Sequence, residues 1–296
     1  MTTDTDTATA TGSSTDTSPR RRGNTRGMVI GSAAILLSAI FFLVPFLFIF
    51  VTAAKPLAEA NALEFSWPSS FVLFQNLGEA LAARDYLMVI AFINSVILTV
   101  VSVGVLVILS AMVAYVWQRR GGKSAKVINV LVLAGLIVPP AVVPTIWVLQ
   151  SLGLFKTMPG LIFIEIAYGI PFCVLLFRAF ITTVPRELDE AAVVDGARPT
   201  QVFFRVIFPI LRSVIVTVII LQVVRVYNDF EHPLYFLPGT ENATVQITLL
   251  NFQSQFTTQY NLMFATILLV TIPPLIMFIF FNRKIVEGMA AGSVKG

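Results

Sequence analysis

Long apolar runs separated by short polar stretches make up most of the chain. A helix needs ~20 mainly apolar residues to cross ~30 Å of hydrocarbon. By that measure the pattern predicts six transmembrane helices, at roughly 28–54, 86–116, 127–150, 160–181, 208–229 and 261–281. Pro45, Pro139, Pro140, Pro144, Pro171, Pro273 and Pro274 fall inside these spans. In a membrane bundle, neighbouring helices satisfy the carbonyls a proline frees, so these positions are expected kinks. The predicted fold class is all-α, a polytopic membrane protein of six transmembrane helices. Its parts are a tail at 1–27, a first helix with an outer loop at 28–87, a five-helix core at 88–282, and a C-terminal tail at 283–296.

Composition supports the membrane class. The chain is 56% hydrophobic and only 12% charged, against about a quarter charged in soluble domains. Residues 1–27 are a Thr/Ser/Ala/Asp run ending in a basic cluster, with nothing to bury. A cleaved signal peptide would place its basic residues first and follow them with a shorter apolar core. The expectation is therefore a disordered cytoplasmic tail leading into an uncleaved anchor. Lone Cys173 excludes an intramolecular disulfide, and lone His232 excludes a multi-histidine metal site.

Charge placement gives the orientation. One set of connections carries Arg20, Arg21, Arg22, Arg26, Arg119, Arg120, Lys123, Lys126, Arg178, Arg186, Arg198, Arg205, Arg212, Arg283, Lys284 and Lys295. The other set carries only Lys55, Arg84 and Lys156. Both termini are thus expected in the cytoplasm, with loops 55–85, 151–159 and 230–260 outside. This asymmetry explains the net charge of +4 without a nucleic-acid partner. Trp67, Phe71 and Phe74 suit a segment at the outer interface.

One cytoplasmic connection, 184–207, is unlike the rest. Glu187, Asp189, Glu190 and Asp195 lie there between Arg186 and Arg198. Pro185 suits a first helical turn, and the acids after it suit a helix N-terminus. Gly196 can close the helix in the left-handed region, and Pro199 prevents its continuation. A short helix over 185–195 follows, with a second helical stretch from about Thr200. Leu188, Ala191, Ala192 and Asp195 share a side at i, i+3, i+4 and i+7. The two alanines keep that side flat, so another backbone can approach, and Glu190 at its edge can meet a basic group. On physics alone, a solvated loop helix without a partner explains the segment equally well.

The stretch "ELDEAAVVDGARPTQVFFRVIFPILRS" resembles the EAA loop of ABC-importer permeases. The match is Glu190, Ala191, Ala192, Gly196, then Val206 or Ile207 with Pro209. "FINSV" (92–96), "AMVAYVWQR" (111–119), "LIVPPAVVPTIWVLQSLGLFKTMPGLIF" (136–163), "VYNDFEHPLYFL" (226–237) and the closing "EGMAAGSVKG" are similar to the MalG-type permeases of carbohydrate importers. Two departures are Arg198-Pro199 after Ala197, and Tyr227 where the family has Trp. The resemblance implies a type I importer permease fold and a coupling helix docked on a separate ATPase. Glu190, Ala191, Ala192, Asp195 and Gly196 would be the coupling residues. It implies as partners a second homologous permease, two ATPase subunits that hold the ATP and Mg, an extracytoplasmic solute-binding protein, and a sugar substrate. The chain itself would bind no cofactor and carry no catalytic residue, and no GxxxxGK[ST] occurs in it.

Ionisable residues within spans are functional candidates by default. Glu165 and Arg225 lie at similar depth, roughly 7 Å below the outer interface at 1.5 Å per residue. They are expected to pair along the outward end of the substrate path, the alternative being that each snorkels outward alone. Asn94 and Ser95, and Gln222 and Asn228, can bond either a polyol or a neighbouring helix. Tyr227, Asn228 and Asp229 join the candidate path at its outer mouth. A stand-alone secondary transporter would need inverted repeats and midplane ionisable residues, which are not evident. An intramembrane enzyme would need a metal cluster or a paired catalytic site. Glycerol-phosphate and polyol importers share the same motifs, so the substrate stays open.

Overall fold

The structure is a computed structural model that describes residues 25–239, 242–252 and 259–293. Most of the expected N-terminal tail lies outside the described residues. Those residues contain helices and no strand. In chain order they form α1 (Thr25–Ala53), α2 (Leu57–Asn61), α3 (Leu73–Arg119), α4 (Lys123–Ile137), α5 (Val142–Ser151), α6 (Met158–Ile181) and α7 (Glu187–Val194). Next come α8 (Pro199–Gln201), a π-helical turn (Val202–Ile207), α9 (Phe208–Ile210), α10 (Arg212–Tyr227), α11 (Glu231–Phe236), α12 (Val245–Thr248) and α13 (Tyr260–Ser293). The chain divides into two units, one ending at Leu47 and the other beginning at Phe48. Within the first unit α1 is apolar all round, and Ile35, Leu37 and Phe41 are largely exposed, as on a helix solvated by lipid.

Among the described residues, four helices, within α1, α3, α6 and α13, are long and apolar enough to cross a membrane, or up to six if each of two bent pairs is one span. The bends correct two expected spans. Span three is not one helix over 127–150: it stops at Ile137, and α5 leaves at 120° to α4. Pro139 and Pro140 are adjacent here, so two N–H donors are missing, and each residue before a proline is driven out of the helical region. Val138 accordingly takes ψ 121°. Span five is not one helix over 208–229: α10 is entered at 78° from the α8–α9 segment, and the two reach the length of a span only as a bent pair. Pro209 removes a donor just after the π-helical turn, and the chain bends at Leu211. Span two begins where Arg84, Asp85 and Tyr86 take positive φ and separate a leading helix from Leu87 onward. The last helix continues to Ser293, well past the expected span end at 281.

The core lies between α3, α6 and the π-helical turn, where Leu106, Ala111, Ala114, Val174, Phe177 and Ile207 are almost wholly buried. Small residues allow the backbones to approach. A Cβ on Gly135 of α4 would sit 2.6 Å from Cγ of Pro171 in α6, a ring that cannot rotate away. Gly135→Leu should therefore lower thermal stability in detergent by about 1–3 kcal/mol, the usual cost of overpacking. A melting curve beside that of the unaltered protein checks this. The loop after α1 is fixed by buried Lys55, whose Nζ donates to the Glu64 carbonyl at 2.7 Å and to Ser66 Oγ at 3.0 Å. Asn76 holds the carbonyls of Ala53 and Lys55, and Asn261 donates to Asn76. Trp67 and Phe71 remain exposed on this loop, as does Phe74 at the start of α3.

Candidate functional site

Two groups of polar residues lie toward opposite ends of α6. The first surrounds α7. Glu187, Asp189 and Glu190 occupy its first turn, where the helix dipole favours anions. Gly196 closes it at φ +82°, and the Gly196 and Ala197 N–H groups donate back to Val193 and Ala192. Pro185 lies just ahead of the helix rather than in its first turn, and Pro199 opens α8.

Periodicity sorts the α7 side chains. Asp189 and Ala192, three residues apart, face the bundle. Asp189 pairs with Nε of Arg119 at 2.5 Å, and Ala192 packs half-buried against the core. Glu187, Glu190, Ala191, Val193, Val194, Asp195 and Gly196 are exposed, Val194 most of all at 86%. Of the residues expected on one flat outward side, Ala192 thus turns partly inward. The Asp189–Arg119 pair is an addition that the sequence pattern did not reveal.

The second group lies in the outer part of α6 and the corner after α10. Glu165 is wholly buried. Arg225 reaches it from the last turn of α10, with Nη1 3.0 Å from Oε2 and Nη2 donating to the Glu165 carbonyl at 3.1 Å. Nε of Arg225 donates to Gln222 at 2.6 Å. The expected contact is present, and it has two more members. Asp229 accepts the N–H groups of Glu231 and His232 and so anchors the start of α11. His232 Nδ1 then lies 2.5 Å from Asp229 and 3.0 Å from Glu165. Tyr168 stacks on the imidazole at 5.0 Å. The carboxylates and imidazole lie within 4.8 Å of one another, a spacing that suits a metal ion, but Arg225 already supplies the cation. The result is a network of two acids and two bases that ties α6, α10 and α11 together.

Burial alone would lower the His232 pKa, but the hydrogen bonds and charges of Asp229 and Glu165 outweigh it and hold the imidazolium up to about 9. Burial would raise the Asp229 carboxyl, but its hydrogen bonds and charge interaction with His232 bring it down to about 2. A raised histidine contributes stability that is complete below its unfolded value of ~6.5 and is lost as pH rises through the folded value. The melting temperature of the protein should therefore exceed that of His232→Gln most near pH 6, and the gap should close by about pH 9.5. A gap that is constant from pH 6 to 9.5 would contradict the network.

The remaining candidates divide. Asn228 is exposed, accepts from Gln246 at 3.3 Å, and lines a recess of about 200 Å³ with Gln246, Leu249, Ile267, Val270, Thr271 and Pro274. Tyr227 is buried, its hydroxyl donating to the Val270 carbonyl at 3.4 Å. Asn94 donates to the Ala243 carbonyl at 3.1 Å, and Ser95 accepts from the Val245 N–H at 3.0 Å. These two bind α3 to the start of α12 and the residues just before it, which is the interhelical use of such residues. His232 is the residue that sequence reasoning missed. The available signal was its position three residues after Asp229 in "DFEH".

Residues 106–290 match the family described as binding-protein-dependent transport system inner membrane component. The chain is 28% identical over 279 residues to the melibiose/raffinose/stachyose import permease protein MelC of Bacillus subtilis, covering 93% of this chain and all of MelC. It is 31% identical over 260 residues to the trehalose transport system permease protein SugB of Mycobacterium tuberculosis, covering 86% of this chain and 93% of SugB. A crystal structure of a bacterial ABC transporter involved in the import of the acidic polysaccharide alginate contains a chain of the same fold. Its TM-score is 0.76 at 18% identity, over 88% of this chain and 97% of that one. With four to six apolar spans, an E-A-A…G loop between α6 and α10, and a family match over most of its length, the chain belongs to the inner-membrane permease components of binding-protein-dependent transport systems.

Proposed function

We propose that this chain is the permease subunit of an ATP-driven sugar importer and performs no chemistry itself. The observation that carries the reading is α7: a short acidic helix with a Gly-closed end, presenting Glu190 and Ala191 outward between two spans. A separate ATPase docks on that face, hydrolyses ATP with its own Mg, and moves α6 and α10, so that the cavity opens alternately to each side. A second homologous permease completes the path, since six spans alone rarely enclose a sugar, and an extracytoplasmic binding protein delivers the substrate. The protein resides in a prokaryotic cytoplasmic membrane with both termini inside, as the Lys/Arg asymmetry supports. The imported sugars named for its relatives favour a sugar over a glycerol-phosphate or polyol. Glu165, Arg225, Asp229 and Asn228 stand beside the outward end of the path, while Asn94 and Tyr227 support its walls.

The test is to co-purify the complex, reconstitute it, and measure ATP hydrolysis with melibiose, raffinose, stachyose, trehalose, glycerol-3-phosphate and glycerol, each with the binding protein. The reading expects stimulation by at least one sugar and by neither glycerol compound. Stimulation by the glycerol compounds alone would overturn the sugar assignment.

A further inference from the structure

If the outer face of α7 receives the ATPase, its inner face must pass the movement on, and there the structure fastens it to α3. Arg119, in the last turn of α3, pairs with Asp189 of α7 at 2.5 Å. The same guanidinium donates to the carbonyls of Val184 at 3.1 Å and Pro185 at 3.3 Å, in the turn ahead of α7. One side chain thus grips both the helix and its approach. Arg186 returns a bond to the Gln118 carbonyl at 3.2 Å, and Tyr115 reaches Asp189 at 3.4 Å. The side chains of Arg119 and Asp189 are only 11% and 15% exposed. Mostly removed from water, the pair is weakly screened, and the bonds of the same guanidinium to the Val184 and Pro185 carbonyls fix where Arg119 is held.

We propose that Arg119 and Asp189 form a positioning strut that transmits the movement of α7 into α3. This rests on the reading of α7 as the docking element. The shape of the bundle favours the route. A push delivered through α9 meets the 78° bend at Leu211, and one delivered through α4 meets the 120° bend before α5. From Leu87 to Arg119, α3 has no non-helical residue. Between Arg119 and Ser95 it extends about 36 Å at 1.5 Å per residue. At its far end, Asn94 and Ser95 hold the 243–245 segment, directly before Gln246 and the recess that it lines with Asn228. The strut therefore links the ATPase side to the outer recess through one unbroken helix.

The experiment uses the reconstituted complex and whichever panel sugar stimulates the unaltered protein most. Asp189→Asn and Arg119→Gln are each expected to reduce stimulated hydrolysis at least tenfold while the ATPase still co-purifies. Asp189→Glu, which keeps the charge, should retain most of it. A second readout follows movement: labelling of Gln246→Cys by a water-soluble maleimide should change on ATP addition, and Asp189→Asn should abolish that change. Cys173 is fully buried and stays out of the reaction. Stimulation that survives Asp189→Asn overturns the strut, as does a labelling change that persists when stimulation is lost. If Arg119→Gln does not assemble, Asp189→Asn decides, because it leaves the two backbone contacts of Arg119 in place. An unaltered complex that no compound of the panel stimulates would overturn the docking reading, and with it the strut.

Discussion

Glu190→Lys should abolish sugar-stimulated ATP hydrolysis, a fall of tenfold or more, while leaving the permease folded. Glu190 is exposed in the first turns of α7 and has no structural duty that would make its loss unfold the helix. Reversal places a cation where the helix dipole favours an anion, at a cost of about 0.3–1 kcal/mol, too little to melt a helix packed on the core. The same reversal turns attraction toward a basic partner into repulsion, which across an interface costs several kcal/mol. The two effects separate cleanly: a melting curve near that of the unaltered protein together with lost stimulation locates the defect at docking. Full stimulation in the variant would remove Glu190 from the coupling surface.

Arg225→Met should be the most destabilising single change in the outer network. It removes the guanidinium facing wholly buried Glu165. Breaking a buried pair by deleting one partner costs about 3–5 kcal/mol. The Arg225 side chain is 33% exposed, and His232 still faces Glu165, so the low end, about 3 kcal/mol, is expected. Adding Glu165→Gln should recover part of the loss, because no uncompensated acid then remains in the interior. A charge exchange, Glu165→Arg with Arg225→Glu, is a poorer test. It sets a guanidinium against His232, so failure to restore stability is now the expected result. Thermal melting of the single and double variants at pH 7 measures the coupling directly. A double variant less stable than Arg225→Met alone would show that the pair is not what holds the corner.

Much of this was readable from residue order. Apolar length located the spans within α1, α3, α6 and α13, because the bilayer demands ~20 such residues whatever the tertiary context, but it drew spans three and five as single helices where the chain bends. Equal depth on successive spans permitted a Glu165–Arg225 pair but left separate snorkelling open, and the contact decides for the pair. Direction was harder. Pro139-Pro140 announced a break, but a proline pair does not say whether the chain tilts or turns by 120°. His232 and Asp229 joined the network only because α11, six residues long, folds the chain back over α6, and so short an element carries no periodicity. The same limit applied to α7. Over eight residues the apolar positions do not fix which face points inward, so the inward turn of Asp189 and the grip of Arg119 are set by packing and not by pattern. Motif spacing identified the loop; packing decided the job of each residue in it.

The central claim is that this bundle moves sugar only when a separate ATPase drives it through α7. The most direct measurement is uptake of radiolabelled sugar into proteoliposomes. One set would hold the full complex with ATP and Mg enclosed, and the other this chain with its permease partner but no ATPase. The account predicts accumulation in the first set alone, and its loss with Glu190→Lys. Accumulation of sugar against its gradient by vesicles that lack the ATPase would contradict it.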